Sequence, residues 1–349
     1  MKCPAPSPEL AATVQPALFS VFPGRGCRAA EKAAPLSAMV RRLSPLLAAV
    51  ALVLLPAPAP AQASCDRGCL RRLGETYLAA LAAKDVTRLP LTPGVRFTEN
   101  GSELALGDGL WGTVEGLLDY RFFVVDPTSG NVGIFSAVRE SGQRALLGVR
   151  IKAPDGRISE IETLVARRDP SSSFQVARSL VVRPGLTELL PADRRVPRAQ
   201  TIAAADSYFV GLDEATDKGV AFAPDCIRHE NGTQLTSNPG LGIDIAKLNC
   251  QQQFATGFSE FITGLRDRRW IVDEETGVAM SVLFFDHSGT VKTVALKDGT
   301  TMVVPYPFNR PYSFELFEAF KIDGGRIHEI EAILTSVPYG MSSGWKGQP

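Results

Sequence analysis

The stretch Gly156-Arg157-Ile158-Ser159-Glu160-Ile161-Glu162 recurs with one change as Gly325-Arg326-Ile327-His328-Glu329-Ile330-Glu331. Two earlier landmarks recur in the same order. Arg96-Phe97-Thr98-Glu99-Asn100-Gly101 returns one residue shorter as Arg228-His229-Glu230-Asn231-Gly232, and Asp126-Pro127-Thr128-Ser129-Gly130 returns as Asp273-Glu274-Glu275-Thr276-Gly277. A repeat of this length exceeds the roughly 20–50 residues of a solenoid unit. The sequence therefore predicts two similar domains in tandem.

The N-terminal part has the pattern of a secretory signal peptide. Arg41 and Arg42 precede an apolar run over 43–55, and Ala61-Gln62-Ala63 supplies the small-x-small cleavage pattern. Because Met39 stands just before the arginines, we interpret 1–38 as an over-extended start and 39–63 as the signal peptide. The expected location is secreted or periplasmic.

Other interpretations of this leader remain open. The paired arginines also fit a twin-arginine signal, and Cys65 fits a lipoprotein signal except that Gln62 replaces the usual aliphatic residue. A transmembrane anchor is disfavoured, because the apolar run is shorter than the ~20 residues that span a bilayer. We expect no stable membrane anchor. The mature chain then divides into a first domain over 64–168, a linker over 169–197 and a second domain over 198–349.

Four cysteines follow the leader. Their even number in an exported chain favours disulfides, and we pair neighbours, Cys65–Cys69 and Cys226–Cys250. No cysteine or histidine set has zinc spacing, so no metal site is expected. The 37 basic and 37 acidic residues balance, which gives no electrostatic case for binding nucleic acid.

The order of predicted elements is the same in both repeats. Each opens with an amphipathic helix, at 70–81 and at 202–217, followed by a short extended segment and a second helical piece, at 110–120 and at 250–265. The pattern then changes to alternation, with Gly-containing turns that are typical of an antiparallel meander. The second repeat adds a hairpin over 291–311.

This order resembles the nuclear transport factor two-like superfamily, also called SnoaL-like. Phe97-Thr98-Glu99-Asn100-Gly101, Gly325-Arg326-Ile327-His328-Glu329-Ile330-Glu331 and the closing Val337-Pro338-Tyr339-Gly340-Met341 are similar to an exported family of uncharacterised function within it. The resemblance implies an α+β fold with two tandem cone-like domains, each with N-terminal helices packed on a curved antiparallel sheet. The superfamily holds isomerases, dehydratases and lyases beside members that only bind ligands, so the fold does not give the function.

The last strand of the second repeat is apolar on both faces. Ile330 and Leu334 share one face and Ile327 and Ile333 the other, whereas a half-solvated sheet is polar on one side. We therefore expect the helices to cover one face and the sister repeat to cover the other. That arrangement would be an internal pseudo-dimer in a monomeric chain.

The histidines are confined to the second repeat. Imidazole moves protons near neutral pH, so His229 and His328 are predicted catalytic residues, with Asp225 as an orienting carboxylate. The alternative is one core histidine and one surface histidine. His287 lies in a predicted turn and is interpreted as structural, and Glu230 is a weaker candidate than Asp225 because Glu99 repeats it.

Aromatic residues of the second repeat offer a lining for an apolar pocket. The candidate ligand-binding residues are Tyr306, Phe258, Phe284, Phe314 and Trp270. We expect a small apolar or aromatic molecule to bind there without any cofactor, and an enzyme would be a cofactor-independent lyase, dehydratase or isomerase. The alternative is a non-catalytic secreted binding or interaction module.

Overall fold

The structure is a computed structural model that describes residues 64–169 and 174–345. The predicted over-extended start and signal peptide, 1–38 and 39–63, lie outside the described residues. Within the described part of the chain, no helix is long and apolar enough to cross a membrane.

The first half is a helix packed on a six-stranded sheet with the strand order β2-β1-β6-β5-β4-β3. Its elements are α1 (Arg67–Ala83), β1 (Leu91–Glu99), β2 (Ser102–Glu103), α2 (Leu110–Thr113), β3 (Val114–Asp126), β4 (Asn131–Glu140), β5 (Gln143–Lys152) and β6 (Ile158–Ala166).

The second half repeats this order as β8-β7-β14-β13-β10-β9 and adds the predicted hairpin as two short strands. Its elements are α3 (Arg198–Asp213), β7 (Phe222–Glu230), β8 (Thr233–Gln234), α4 (Cys250–Ala255), β9 (Gly264–Asp273), β10 (Val278–His287), β11 (Thr293–Ala295), β12 (Thr301–Val303), β13 (Tyr312–Asp323) and β14 (Arg326–Val337). The predicted α+β class with two similar domains is confirmed.

Helix α1 shows why the opening segments are helical. Its apolar residues recur on one face, and Leu70, Tyr77 and Leu81 of that face are fully buried against the sheet. The side chain of Asp66 caps the helix by accepting a hydrogen bond from the Cys69 amide at 2.7 Å.

The predicted antiparallel meander is confirmed in both halves, and one further pair of strands in each half is parallel. Strand β1 runs parallel to β6, and β7 runs parallel to β14. After β1 the chain crosses to the far edge of the sheet at β3, and the meander then returns in three antiparallel steps. The last strand therefore arrives beside β1 in the same direction.

The second helical pieces are shorter than predicted. Helix α2 ends at Thr113, because the following residues pair with β4 from Val114 onward. Helix α4 ends at Ala255, and Gly257 with φ 74° precedes a 3-10 helix over Phe258–Phe261.

The two sheets pack face to face. Buried residues of both halves form one apolar cluster between them, which includes Phe122, Phe135, Leu164, Val282, Ala319 and Ile333. Glycines of the first sheet permit the closest approach: a Cβ on Gly133 would lie 2.5 Å from the Met280 methyl carbon, and a Cβ on Gly148 would lie 2.8 Å from the Phe317 ring. This packing covers the second apolar face of strands such as β14.

Reciprocal polar contacts join the same interface. Asp126 of the first half accepts from the Val272 amide at 2.9 Å, and Asp273 of the second half accepts from the Val125 amide at 3.2 Å. Each carboxylate also pairs with an arginine at the start of the other half's first helix, Asp126 with Arg198 at 2.7 Å and Asp273 with Arg67 at 2.5 Å. Equivalent turns thus hold each other across a pseudo-two-fold axis.

Candidate functional site

A cavity of about 740 Å³ opens in the second half. It lies between the inner face of the second sheet, helix α3, the loop over 235–245 and the hairpin segment over 302–308. Most of its wall is apolar, including Phe258, Phe261, Phe285, Phe308, Phe314, Leu316 and Leu334. Its size and apolar character are typical of small-molecule sites, which use a few fixed polar groups for orientation.

Arg228 is the central polar residue of the wall. Alternation along β7 turns Arg228 and Glu230 inward, on the face that also carries buried Cys226. The Arg228 guanidinium donates to the Tyr208 hydroxyl at 3.1 Å and to the Gln253 carbonyl oxygen at 2.9 Å. Its Nε lies 3.2 Å from a Glu230 carboxylate oxygen. Arg228 is therefore rigidly held by three elements.

Glu318 lies on the neighbouring part of the wall and is 1% exposed. Burial and the negative charge of Glu230 together raise the pKa of its carboxyl to about 8, against the positive charge of Arg228 and a hydrogen bond with Tyr208. Burial also raises the pKa of Glu230, again against Arg228. Among the described residues, Glu318 Oε2 has no hydrogen-bond partner. A carboxyl that keeps its proton near neutral pH can donate a hydrogen bond or exchange a proton with a ligand.

His287 ends β10 and also lines the cavity. Its ring stacks flat on Tyr312 with centroids 4.6 Å apart, and Phe308 and Phe314 lie close by. Burial lowers the pKa of His287 to about 4, although the negative charge of Asp286 opposes this. Neither ring nitrogen has a partner in the described part of the chain. The imidazole is thus neutral, with one donor and one acceptor unused.

The two histidines predicted to be catalytic do not meet in this cavity. His229 follows Arg228 on β7 and therefore faces the other side of the sheet, where it pairs in register with Glu331. Burial and the positive charge of Arg183 lower the pKa of His229 to about 4. It is not among the residues that line the cavity.

His328 and Asp225 contact each other away from the cavity. The His328 Nδ1 lies 2.8 Å from an Asp225 carboxylate oxygen, and the Asp225 side chain is 72% exposed. The prediction that Asp225 orients a catalytic histidine inside a pocket does not fit this position. The expectation that Ile327 and Ile330 lie on opposite faces was wrong, because the register shifts between Ile327 and Glu329. Ile327 packs in the same apolar cluster as Ile330 and Leu334, so strand alternation does not give the face of His328.

The predicted ligand-binding aromatics divide into two groups. Phe258, Phe314 and Tyr306 line the cavity, with Tyr306 exposed at its rim. Phe284 does not line the cavity. Its neighbour Phe285 points into the cavity, so Phe284 lies on the opposite face of the sheet. There the Cζ atom of Arg266 lies 4.7 Å from the centroid of the Phe284 ring.

Trp270 does not line the cavity either. It packs beneath helix α3 against Phe209 and Phe320, with centroids 5.9 and 6.3 Å away. It belongs to the apolar core of the second half.

Both predicted disulfides are confirmed. Cys65 bonds to Cys69 and Cys226 bonds to Cys250. The second bond joins β7 to α4 with their Cα atoms 5.8 Å apart. It therefore ties Arg228 to the helix that carries its partner Gln253, and it closes the loop that supplies part of the cavity wall.

The sequence analysis did not identify the candidate site that contains Arg228, Glu318 and His287. The two halves carry the same turn, where Asn100 and Asn231 have φ of 48° and 47°. Aligning the halves at this turn places Phe97 opposite Arg228, because Phe97 pairs with Ile161 as Arg228 pairs with Ile330. The signal available in the sequence was a charged residue at a core position of the repeat.

In the first half the corresponding space is filled. Trp111 and Tyr77 pack edge to face, 5.6 Å apart, within a core that includes Phe97 and Val149. Glu99, the counterpart of Glu230, accepts from the Leu110 amide at 2.7 Å and from Arg167 at 2.8 Å.

Comparison with known proteins gives a family. The model of the family described as domain of unknown function DUF8021 matches residues 63–165 and 194–334. The chain belongs to the DUF8021 family. No curated protein matches this DUF8021 chain.

Several solved structures are similar to parts of this DUF8021 protein. AclR, a candidate hydroxylase from Streptomyces galilaeus, is 13% identical with a TM-score of 0.28 and coverage of 41% of this chain and 83% of its own. A candidate ketosteroid isomerase from Kribbella flavida is 13% identical with a TM-score of 0.24 and coverage of 37% and 95%. A designed nuclear transport factor two fold protein is 16% identical with a TM-score of 0.22 and coverage of 31% and 90%.

Proposed function

We propose that the second half binds a small, largely apolar or aromatic molecule in the cavity around Arg228, and that the first half serves as its scaffold. The observation that carries this proposal is the pairing of a large apolar cavity with buried, fixed polar groups. A core that needed only stability would be filled, as the first half is around Phe97 and Trp111.

We further propose that the protein is exported and that its halves are tandem SnoaL-like domains. The predicted signal peptide over 39–63 and the element order support these two points. The two disulfides are compatible with an oxidising compartment. The close interface between the sheets supports a monomer that contains its own pseudo-dimer.

Ligand-shift thermal melts test the binding proposal. Phenolic, steroid-like and polyketide-like compounds should raise the melting temperature of the full-length protein, because a ligand that binds only the folded state stabilises it. Ile245→Trp should abolish the shift, since Ile245 lines the cavity and is only partly buried. Leu189→Trp, at a position 59% exposed on the linker, is the matched control and should leave the shift intact. Equal shifts in both variants would contradict binding in this cavity.

A cofactor-independent lyase, dehydratase or isomerase is the second candidate, and Glu318 favours it. A buried carboxyl with a raised pKa and one oxygen that has no hydrogen-bond partner among the described residues has the properties of a general acid or base. For any compound that is turned over, Glu318→Gln should lower the rate by roughly two to four orders of magnitude, while His328→Gln should not. Ligand shifts without turnover of any shifting compound would instead support a non-catalytic binding module.

A further inference from the structure

Two polar residues of the cavity wall, His287 and Glu318, lie far apart along the same pair of strands. His287 pairs in register with Tyr312 on β13, and Glu318 lies six residues further along that strand. At about 3.3 Å per residue, the two positions are roughly 20 Å apart along the strands. Both residues line the same cavity.

The wall between these two residues is apolar. Phe314 and Leu316 lie between Tyr312 and Glu318 on β13, with Phe285 beside them on β10 and Leu334 beside them on β14. The cavity wall that the sheet forms is therefore apolar over most of the distance between His287 and Glu318.

The surroundings of His287 and Glu318 favour uncharged ligand groups. Arg228 and Glu230 pair with each other, with the Arg228 Nε 3.2 Å from a Glu230 carboxylate oxygen, so neither offers an uncompensated charge to a charged ligand group. A hydroxyl or carbonyl can instead bond to the unpartnered Glu318 oxygen. A hydroxyl also suits the neutral ring of His287, because it can donate to one nitrogen or accept from the other.

We propose that the ligand is a long, mostly hydrocarbon molecule with an uncharged hydrogen-bonding group at each end, a hydroxyl at His287 and a hydroxyl or carbonyl at Glu318. This inference rests on the proposed function and deepens it. Hydrogen bonds at both ends fix the length of the ligand, while the apolar wall supplies most of the affinity.

Competition for a fluorescent apolar probe tests the inference. The full-length protein is loaded with N-phenyl-1-naphthylamine and titrated with n-alkanols and α,ω-alkanediols of increasing chain length. Diols should compete better than alkanols of the same length only near one matching length, by about fivefold, the equivalent of one net hydrogen bond. Both shorter and longer diols should lose this advantage.

Two variants assign the ends. His287→Phe keeps the aromatic stacking, Glu318→Met keeps the length of the side chain without its hydrogen-bonding group, and each should weaken the matching diol about fivefold. His328→Phe, outside the cavity, is the control and should change nothing. The length series on the unmodified protein decides the proposal even if a variant fails to fold.

The outcomes separate the two proposals. If the probe and the alkanols bind but diols gain no advantage at any length, the two-ended ligand is wrong and the proposed function stands. If neither the probe nor any alkanol binds, the proposed function itself is overturned.

Discussion

The two halves share one strand order but treat the same internal space differently. In the first half, Phe97 and Val149 contribute to a closed apolar core. In the second half, Arg228 occupies the register position of Phe97, and Glu318 occupies that of Val149. Burial of Phe97 and Val149 stabilises the first half. Burial of Arg228 and Glu318 instead costs desolvation free energy, and a cavity remains beside them. The proposed ligand binding would account for the buried polar groups of the second half, which stability alone does not require.

Exchanging Arg228 and Glu318 for their counterparts in the first half should have the largest effect. Arg228→Phe alone should lower the free energy of unfolding by about 3–5 kcal/mol, because it leaves the buried carboxylate of Glu230 without its cationic partner. Arg228→Phe combined with Glu318→Val copies the first half and should recover more than half of that loss. Urea unfolding measures both, with Phe97→Met as a milder control. A double variant that is less stable than the single variant would contradict the equivalence of these positions in the two halves.

Removing the disulfide of either half should have an effect of intermediate size on stability. Replacing Cys226 and Cys250 by serine should cost roughly 3 kcal/mol, since the bond spans 24 residues, and replacing Cys65 and Cys69 should cost about 2 kcal/mol, since that bond spans 4. Thermal melts with and without ligand measure stability and binding together. Only loss of the second-half bond should weaken binding, because it holds the loop of the cavity wall. Equal loss of binding in both variants would contradict this.

A pH effect of about 2 kcal/mol should belong to the second half alone. The pKa of Glu318 is about 8 in the folded protein against 4.5 for the free group. Its contribution to stability is therefore complete below pH 4.5 and is lost as the pH rises to about 8. The free energy of unfolding should fall from pH 6.5 to 8.5, a window above the titration of His287. Glu318→Gln should reduce this slope without abolishing it, because burial also raises the pKa of Glu230, Glu315 and Glu331. An unchanged slope would assign the effect to those groups alone.

The smallest expected effect tests the symmetry between the halves. Asp126→Asn and Asp273→Asn each weaken a carboxylate that accepts a backbone amide across the interface. Each should cost about 1–2 kcal/mol by urea unfolding, and the two costs should agree. A large difference would show that one turn, and not the pair, holds the sheets together.

Much of the fold could be predicted from the sequence, because the repeat and the helical face around Tyr77 are local patterns. The parallel pairing of β1 with β6 could not, since it depends on where the chain re-enters the sheet. The sequence analysis did not include Arg228 in the candidate site, because it aligned Arg228 with Arg96. The structure shows that Arg228 instead occupies the position of Phe97. Burial of His287 depends on how Phe308 and Tyr312 pack around it, which no local pattern contains.

The packing of glycines against large side chains has a consequence for assembly. Met280 and Phe317 occupy the same positions in the second sheet that Gly133 and Gly148 occupy in the first. Two copies of the second half would bring methionine against methionine and phenylalanine against phenylalanine, and two copies of the first would leave hollows. Each half therefore fits only its unlike sister. Because both halves belong to one polypeptide, they are always present in a one-to-one ratio. The residues inside one half can then differ from those inside the other without affecting this pairing.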